Sequence, residues 1–111
     1  MPKLPYRKKA QFEIKKLEEY CLNPNHQRGK HKAKVFNSVL GFTRKDALVL
    51  KKYLLDAAFN QDAIEIFSDS FGKRYYIDFQ INHENKSAII RSIWILKSKE
   101  KIPKLITCYI K

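Results

Sequence analysis

Residues 63–96 read AIEIFSDSFGKRYYIDFQINHENKSAIIRSIWIL, and the period of this stretch decides the fold. Arg74 to Ile81 alternates strictly, with Tyr75, Ile77, Phe79 and Ile81 on one face. Alternation of that kind is the signature of a half-buried strand. Ala63–Phe67 predicts a strand before it, across a turn at 68–73. Ser87–Leu96 predicts a third strand, after a turn at 82–86. Beyond the charged loop 97–101, Pro103–Ile110 predicts a fourth, with proline at its permitted first position. Strands joined by turns this short pair antiparallel with their sequence neighbours, so the expected sheet is a meander.

The residues before 62 carry a different period. Ala10, Ile14, Leu17 and Cys21 make one stripe of a helix over 8–21, which Asn23-Pro24-Asn25 ends. A second helix is expected from about Gly29 to Leu40, with Phe36, Val39 and Leu40 inward and Gly41 as its left-handed stop. Thr43 and Asp46 suit a capping box at the start of a third, running to about Phe59. Ala47, Leu50, Tyr53, Leu54, Ala57 and Ala58 form its inward face, broadened by Leu48, Val49 and Leu55. The expected architecture is α+β: about three N-terminal helices packed on a four-stranded antiparallel meander, in a single domain over 1–111.

Composition bounds the function. The net charge is +12, and residues 1–34 hold 10 basic and 3 acidic side chains, so the excess concentrates there. Such a field favours polyanionic partners: nucleic acid, an anionic surface or an acidic protein. No apolar run is long enough to span a bilayer, and no apolar segment follows the charged N-terminus, so a cytoplasmic location, or delivery as part of something larger, is expected, without membrane insertion. Two cysteines, Cys21 and Cys108, are too few for a disulfide framework and read as buried thiols.

Residues 22–36, LNPNHQRGKHKAKVF, concentrate the chemistry. His26 stands between a proline turn and a helix start. Arg28, Lys30, His31, Lys32 and Lys34 crowd the same helix end without an acid. Cations there oppose the macrodipole by a few tenths of a kcal/mol each, and a bound phosphate would relieve the conflict. His26 and His31 are five apart, off the spacing that puts two ligands on one helix face, so no metal or other cofactor is expected. The last strand, PKLITCYI, splits into Leu105/Thr107/Tyr109 and Ile106/Cys108/Ile110, leaving the hydroxyls of Thr107 and Tyr109 side by side. Arg74 lies on the polar face of strand two. Arg91, flanked by isoleucines, is either a phosphate clamp or an ion-pair partner of Asp78.

LNPNHQRGKHKAKVFNSVLG (22–41), SIWIL (92–96) and PKLITCY (103–109) together resemble a small bacterial toxin-like domain family. That arrangement in turn resembles the metal-independent ribonuclease toxins grouped as the Barnase–EndoU–colicin–RelE superfamily. The resemblance implies an endoribonuclease toxin whose partners are RNA and a cognate antitoxin or immunity protein. It implies His26 as acid or base, Lys30 or Lys32 as the phosphate cation, and Thr107 and Tyr109 as substrate contacts. His31 would supply a second histidine if the helix start turned it inward. Arg28, Lys30, His31, Arg74 and Arg91 complete the expected nucleic-acid surface. A basic binding module without chemistry, or an antitoxin or immunity-type interaction protein, is the alternative.

Overall fold

The computed structural model describes residues 2–111. Two helices, α1 (Lys30–Leu40) and α2 (Ala47–Asn60), precede four strands: β1 (Ile64–Asp69), β2 (Gly72–His83), β3 (Lys86–Lys97) and β4 (Lys104–Ile110). The sheet order is β1-β2-β3-β4 with every pair antiparallel, which is the expected meander. β2 and β3 run further into their turn than the composition suggested. Only Glu84 and Asn85 separate them, and both take positive φ, as a tight two-residue hairpin requires.

One face of the sheet meets the helices. Tyr75, Ile77, Phe79 and Ile81 of β2 and Ile90, Ser92 and Trp94 of β3 are buried there, against Phe36, Leu40, Leu50 and Leu54. Ser92 is the one buried polar side chain of this core among the described residues. Its hydroxyl donates to the Ile77 carbonyl at 3.0 Å and accepts from the Trp94 indole at 2.9 Å, so neither polar group is orphaned.

The helix ends follow the local chemistry. Thr43 and Asp46 form the capping box that starts the turn Arg44–Asp46 leading into α2. Gly41 closes α1 at φ 73°, a conformation that favours glycine. Three sequence expectations need correction. The stripe over 8–21 is not one helix. It is a 3-10 turn, Arg7–Lys9, then a strand-like bridge from Gln11 to Lys104, then a π-helical turn, Leu17–Cys21. Anchoring Gln11 to β4 competes with helix formation there and wins. Val39 and Leu48, assigned inward, are 38% and 54% exposed, because the buried stripes of α1 and α2 are narrower than their apolar content.

The third correction lies in β4. Its register shifts between the partners of Ile93 and Trp94: Thr107 opposes Ile93, but Leu105 opposes Trp94. Ile106 is therefore the extra residue of a bulge, and the bulge reverses parity. Leu105 and Cys108 both enter the core, while Thr107 and Tyr109 leave Leu105's face.

Candidate functional site

The site is built where the π-helical turn, the start of α1 and β4 converge. Tyr20 and Cys21 come from the first, His26 from the loop, Lys32 from α1 and Thr107 and Tyr109 from β4. Gly29 makes the convergence possible. A Cβ there would overlap the carbonyl of Tyr20, so only glycine lets α1 begin this close to the preceding turn.

Lys32 is the hub. Its Nζ donates to Thr107 Oγ1 at 3.0 Å and to the Tyr20 hydroxyl at 3.2 Å. It also lies 5.1 Å from the Tyr20 ring centroid and 5.5 Å from that of Tyr109. Two aromatic faces and two hydroxyls hold the ammonium in place. Cys21 Sγ is 4.0 Å from Thr107 Oγ1, beneath this cluster. A hydrogen bond with Cys108 brings the Cys21 thiol down to about 7, against the opposing effect of burial. Cys108 is pushed up by the same pairing and by burial. Both cysteines are free and buried, as expected.

His26 stands over a groove of about 880 Å³, whose walls also include Tyr20, Thr107, Lys16, Arg28 and the carboxylates Glu13 and Glu19. Its ring packs edge-on to Tyr20, 4.8 Å between centroids. Its Nδ1 accepts from two backbone N–H groups, Arg28 at 3.0 Å and Gly29 at 2.9 Å. The ring thus does for the entry to α1 what a capping Asn or Asp usually does, and α1 has no other side-chain cap. A nitrogen that accepts carries no proton, so with these two bonds in place the ring hydrogen lies on Nε2.

The expected residues divide. His26, Arg28, Lys32, Thr107 and Tyr109 come together around the groove and its rim. Lys30 and His31 line a separate groove with Leu22, Pro24 and Phe42. His31 also reaches the Tyr109 side of Lys32, but it is exposed and does not join His26 on its groove. Arg91 is bound bidentately by Asp78, at 2.8 and 2.9 Å, and Lys111 adds a third contact to that carboxylate at 3.2 Å. Arg91 is thus an ion-pair partner rather than a free clamp. Its hydrogen bonds hold the Asp78 carboxyl below its usual range. Arg74 is paired with Asp69 at 3.2 Å. Among the described residues no three His, Cys, Asp or Glu side chains converge as a metal site would need, and no helix is long and apolar enough to cross a membrane.

Tyr20, Lys16, Glu13 and Glu19 were not singled out from the sequence. The helical stripe offered one signal, since Tyr20 follows Leu17 by three residues and so shares its side of the turn.

No curated protein matches the sequence. Among solved structures, the chain is similar to one described as a contact-dependent growth inhibition toxin–immunity protein complex from Klebsiella pneumoniae 342. The TM-score is 0.66 at 15% identity, covering 93% of this chain and 92% of that one. At that identity the likeness is one of fold. The family model described as a domain of unknown function, DUF6883, matches residues 3–111, and the chain belongs to that family.

Proposed function

We infer that the chain is a toxin domain that cleaves RNA without a metal, and that a cognate immunity protein holds it in check. The observation that carries the reading is the Lys32 cluster. A fixed ammonium, flanked by the Thr107 and Tyr20 hydroxyls and the Tyr109 ring, stands beside a groove with a histidine on its wall. That set suits the dianionic phosphorane formed when an RNA 2′-oxygen attacks the adjacent phosphorus. The fold shared with a component of a toxin–immunity complex supports a role in such a pair, as toxin or as immunity-type protein.

In this reaction the O2′–P bond forms and the P–O5′ bond breaks, leaving a 2′,3′-cyclic phosphate and a 5′-hydroxyl. Lys32 stabilises the non-bridging oxygens. His26, its Nδ1 committed to the helix entry, acts through Nε2–H as a donor to the phosphate. This refines the acid/base role expected for it. An imidazolium would carry a proton on Nδ1 and could no longer accept from Arg28 and Gly29. The carboxylates Glu13 and Glu19 are the groove's proton acceptors for the 2′-hydroxyl. The leaving 5′-oxygen takes a proton from solvent.

Expression in a bacterial host tests the biological half. The wild-type chain should arrest growth, and Lys32→Ala should abolish the arrest at equal protein level. Equal arrest by both would remove Lys32 from the mechanism. The immunity-type alternative predicts no arrest by either.

A further inference from the structure

Directly opposed residues of antiparallel neighbours project on the same face. The register therefore assigns Phe67, Arg74, Tyr76, Asp78, Arg91 and Tyr109 to the face opposite the helices. Across it, cations and rings alternate from strand to strand. The Arg74 guanidinium lies 4.5 Å over the Phe67 ring, and that of Arg91 lies 4.0 Å over Tyr76. Tyr109 opposes Arg91 and carries Lys32 above its own ring. The line thus begins at the outer strand β1 and ends at the Lys32–Thr107 cluster.

The charges of this line are largely spent. Asp69 pairs with Arg74, and Asp78 with Arg91 and Lys111. What remains on offer is flat surface. Phe67 is 50% exposed, and the guanidinium planes held on Phe67 and Tyr76 can themselves stack a base. A base inside a duplex has both faces covered by its neighbours, so such a surface suits unpaired bases only. Three strand-to-strand steps of ~4.8 Å span roughly 14 Å, room for two or three nucleotides. The chain's +12 charge, with 10 basic and 3 acidic side chains in residues 1–34, supplies the phosphate attraction that the face lacks.

We propose that this open sheet face is a stacking platform for single-stranded RNA, leading the strand into the Lys32 groove. The proposal rests on the reading of the chain as an RNA-cleaving protein and adds the form of its substrate. The test uses a fluorescent, fully 2′-O-methylated octanucleotide, which binds but has no nucleophilic 2′-hydroxyl, alone and annealed to its complement. Anisotropy should show the single strand bound at least ~10-fold tighter than the duplex. Phe67→Ala should weaken single-strand binding ~5- to 100-fold, the range of one base–aromatic stack. The slope of log affinity against log salt should stay unchanged in that variant. Arg28→Ala should instead lower that slope by ~0.7, one phosphate contact. Tyr76→Leu, which keeps bulk in the sheet, should behave as Phe67→Ala does. Phe71→Ala, at an exposed turn outside the line, should have no effect. Equal affinity for duplex and single strand, or full affinity in both Phe67→Ala and Tyr76→Leu, overturns the platform even if the protein cuts RNA. Platform-dependent binding with no cleavage of ordinary RNA would retain it and overturn the nuclease reading instead.

Discussion

The Nζ of Lys32, in the first turn of α1, donates to Thr107 Oγ1 on the edge strand β4 at 3.0 Å. This bond closes the site across 75 residues of sequence, and the parity reversal at Ile106 is what makes it available. Without the bulge, Thr107 would share the core face with Leu105. Thr107→Val keeps the shape but removes the acceptor, so the ammonium loses one of its two hydroxyl partners. Cleavage should fall about 10-fold with little change in thermal stability, and Thr107→Ser should restore most of it. Single-turnover cleavage of a labelled RNA measures both.

His26 does two jobs that substitution can separate. His26→Ala removes the helix entry cap, at about 1 kcal/mol, as well as the Nε2 donor. His26→Asn keeps a cap acceptor at that position and loses only the donor. The two variants should differ in urea midpoint and agree in cleavage, both far below wild type. Equal stability of the two would take the capping role away from His26.

Gly29→Ala places a methyl against the Tyr20 carbonyl, and α1 must then retreat from the π-helical turn. Lys32 and Tyr20 sit on either side of that contact, so the variant should lose activity along with stability. A loss of ~1–3 kcal/mol is expected from overpacking of this kind. Chemical denaturation and the cleavage assay, run on the same preparation, would show the two effects together.

Asp78 sets the acid limit of the sheet. Its carboxyl is held below the ordinary value of 3.8, chiefly by the Arg91 hydrogen bonds. As pH falls the unfolded chain takes up this proton first, so the stabilisation is complete above about 4 and is lost as pH drops through the folded value. Asp78→Asn should be less stable than wild type at pH 5–7, and the two should converge toward pH 2. Urea midpoints across that range check the sign; a gap that widens on acidification would contradict it.

The fold was largely legible because periodicity carries it. The alternation of 74–81, the capping pair Thr43/Asp46 and Gly41 each report a local rule that the structure obeys. The first helix was not legible, since its apolar spacing is real but Gln11 is claimed by a distant strand. The site was half legible. Charge crowding at the start of α1 pointed to the right helix end, and Thr107 and Tyr109 to the right strand. Which lysine faces the groove depends on helix phase, and Lys32 is two residues from Lys30 and so on a different side of α1. The pairing of Arg91 with Asp78 follows from a register that only the folded sheet defines. Tyr20 was hidden because its hydroxyl serves a residue twelve positions away.

The central claim is that a fixed Lys32 ammonium drives metal-free cleavage of RNA. The most direct test is incubation of purified protein with single-stranded RNA in EDTA, comparing wild type, Lys32→Ala and Lys32→Arg. The account predicts 2′,3′-cyclic phosphate ends from the wild type. It predicts a loss of ~10²- to 10³-fold in Lys32→Ala, the cost of removing one transition-state donor, with partial activity in Lys32→Arg. Undiminished cleavage by folded Lys32→Ala, or none by the wild type, would contradict it.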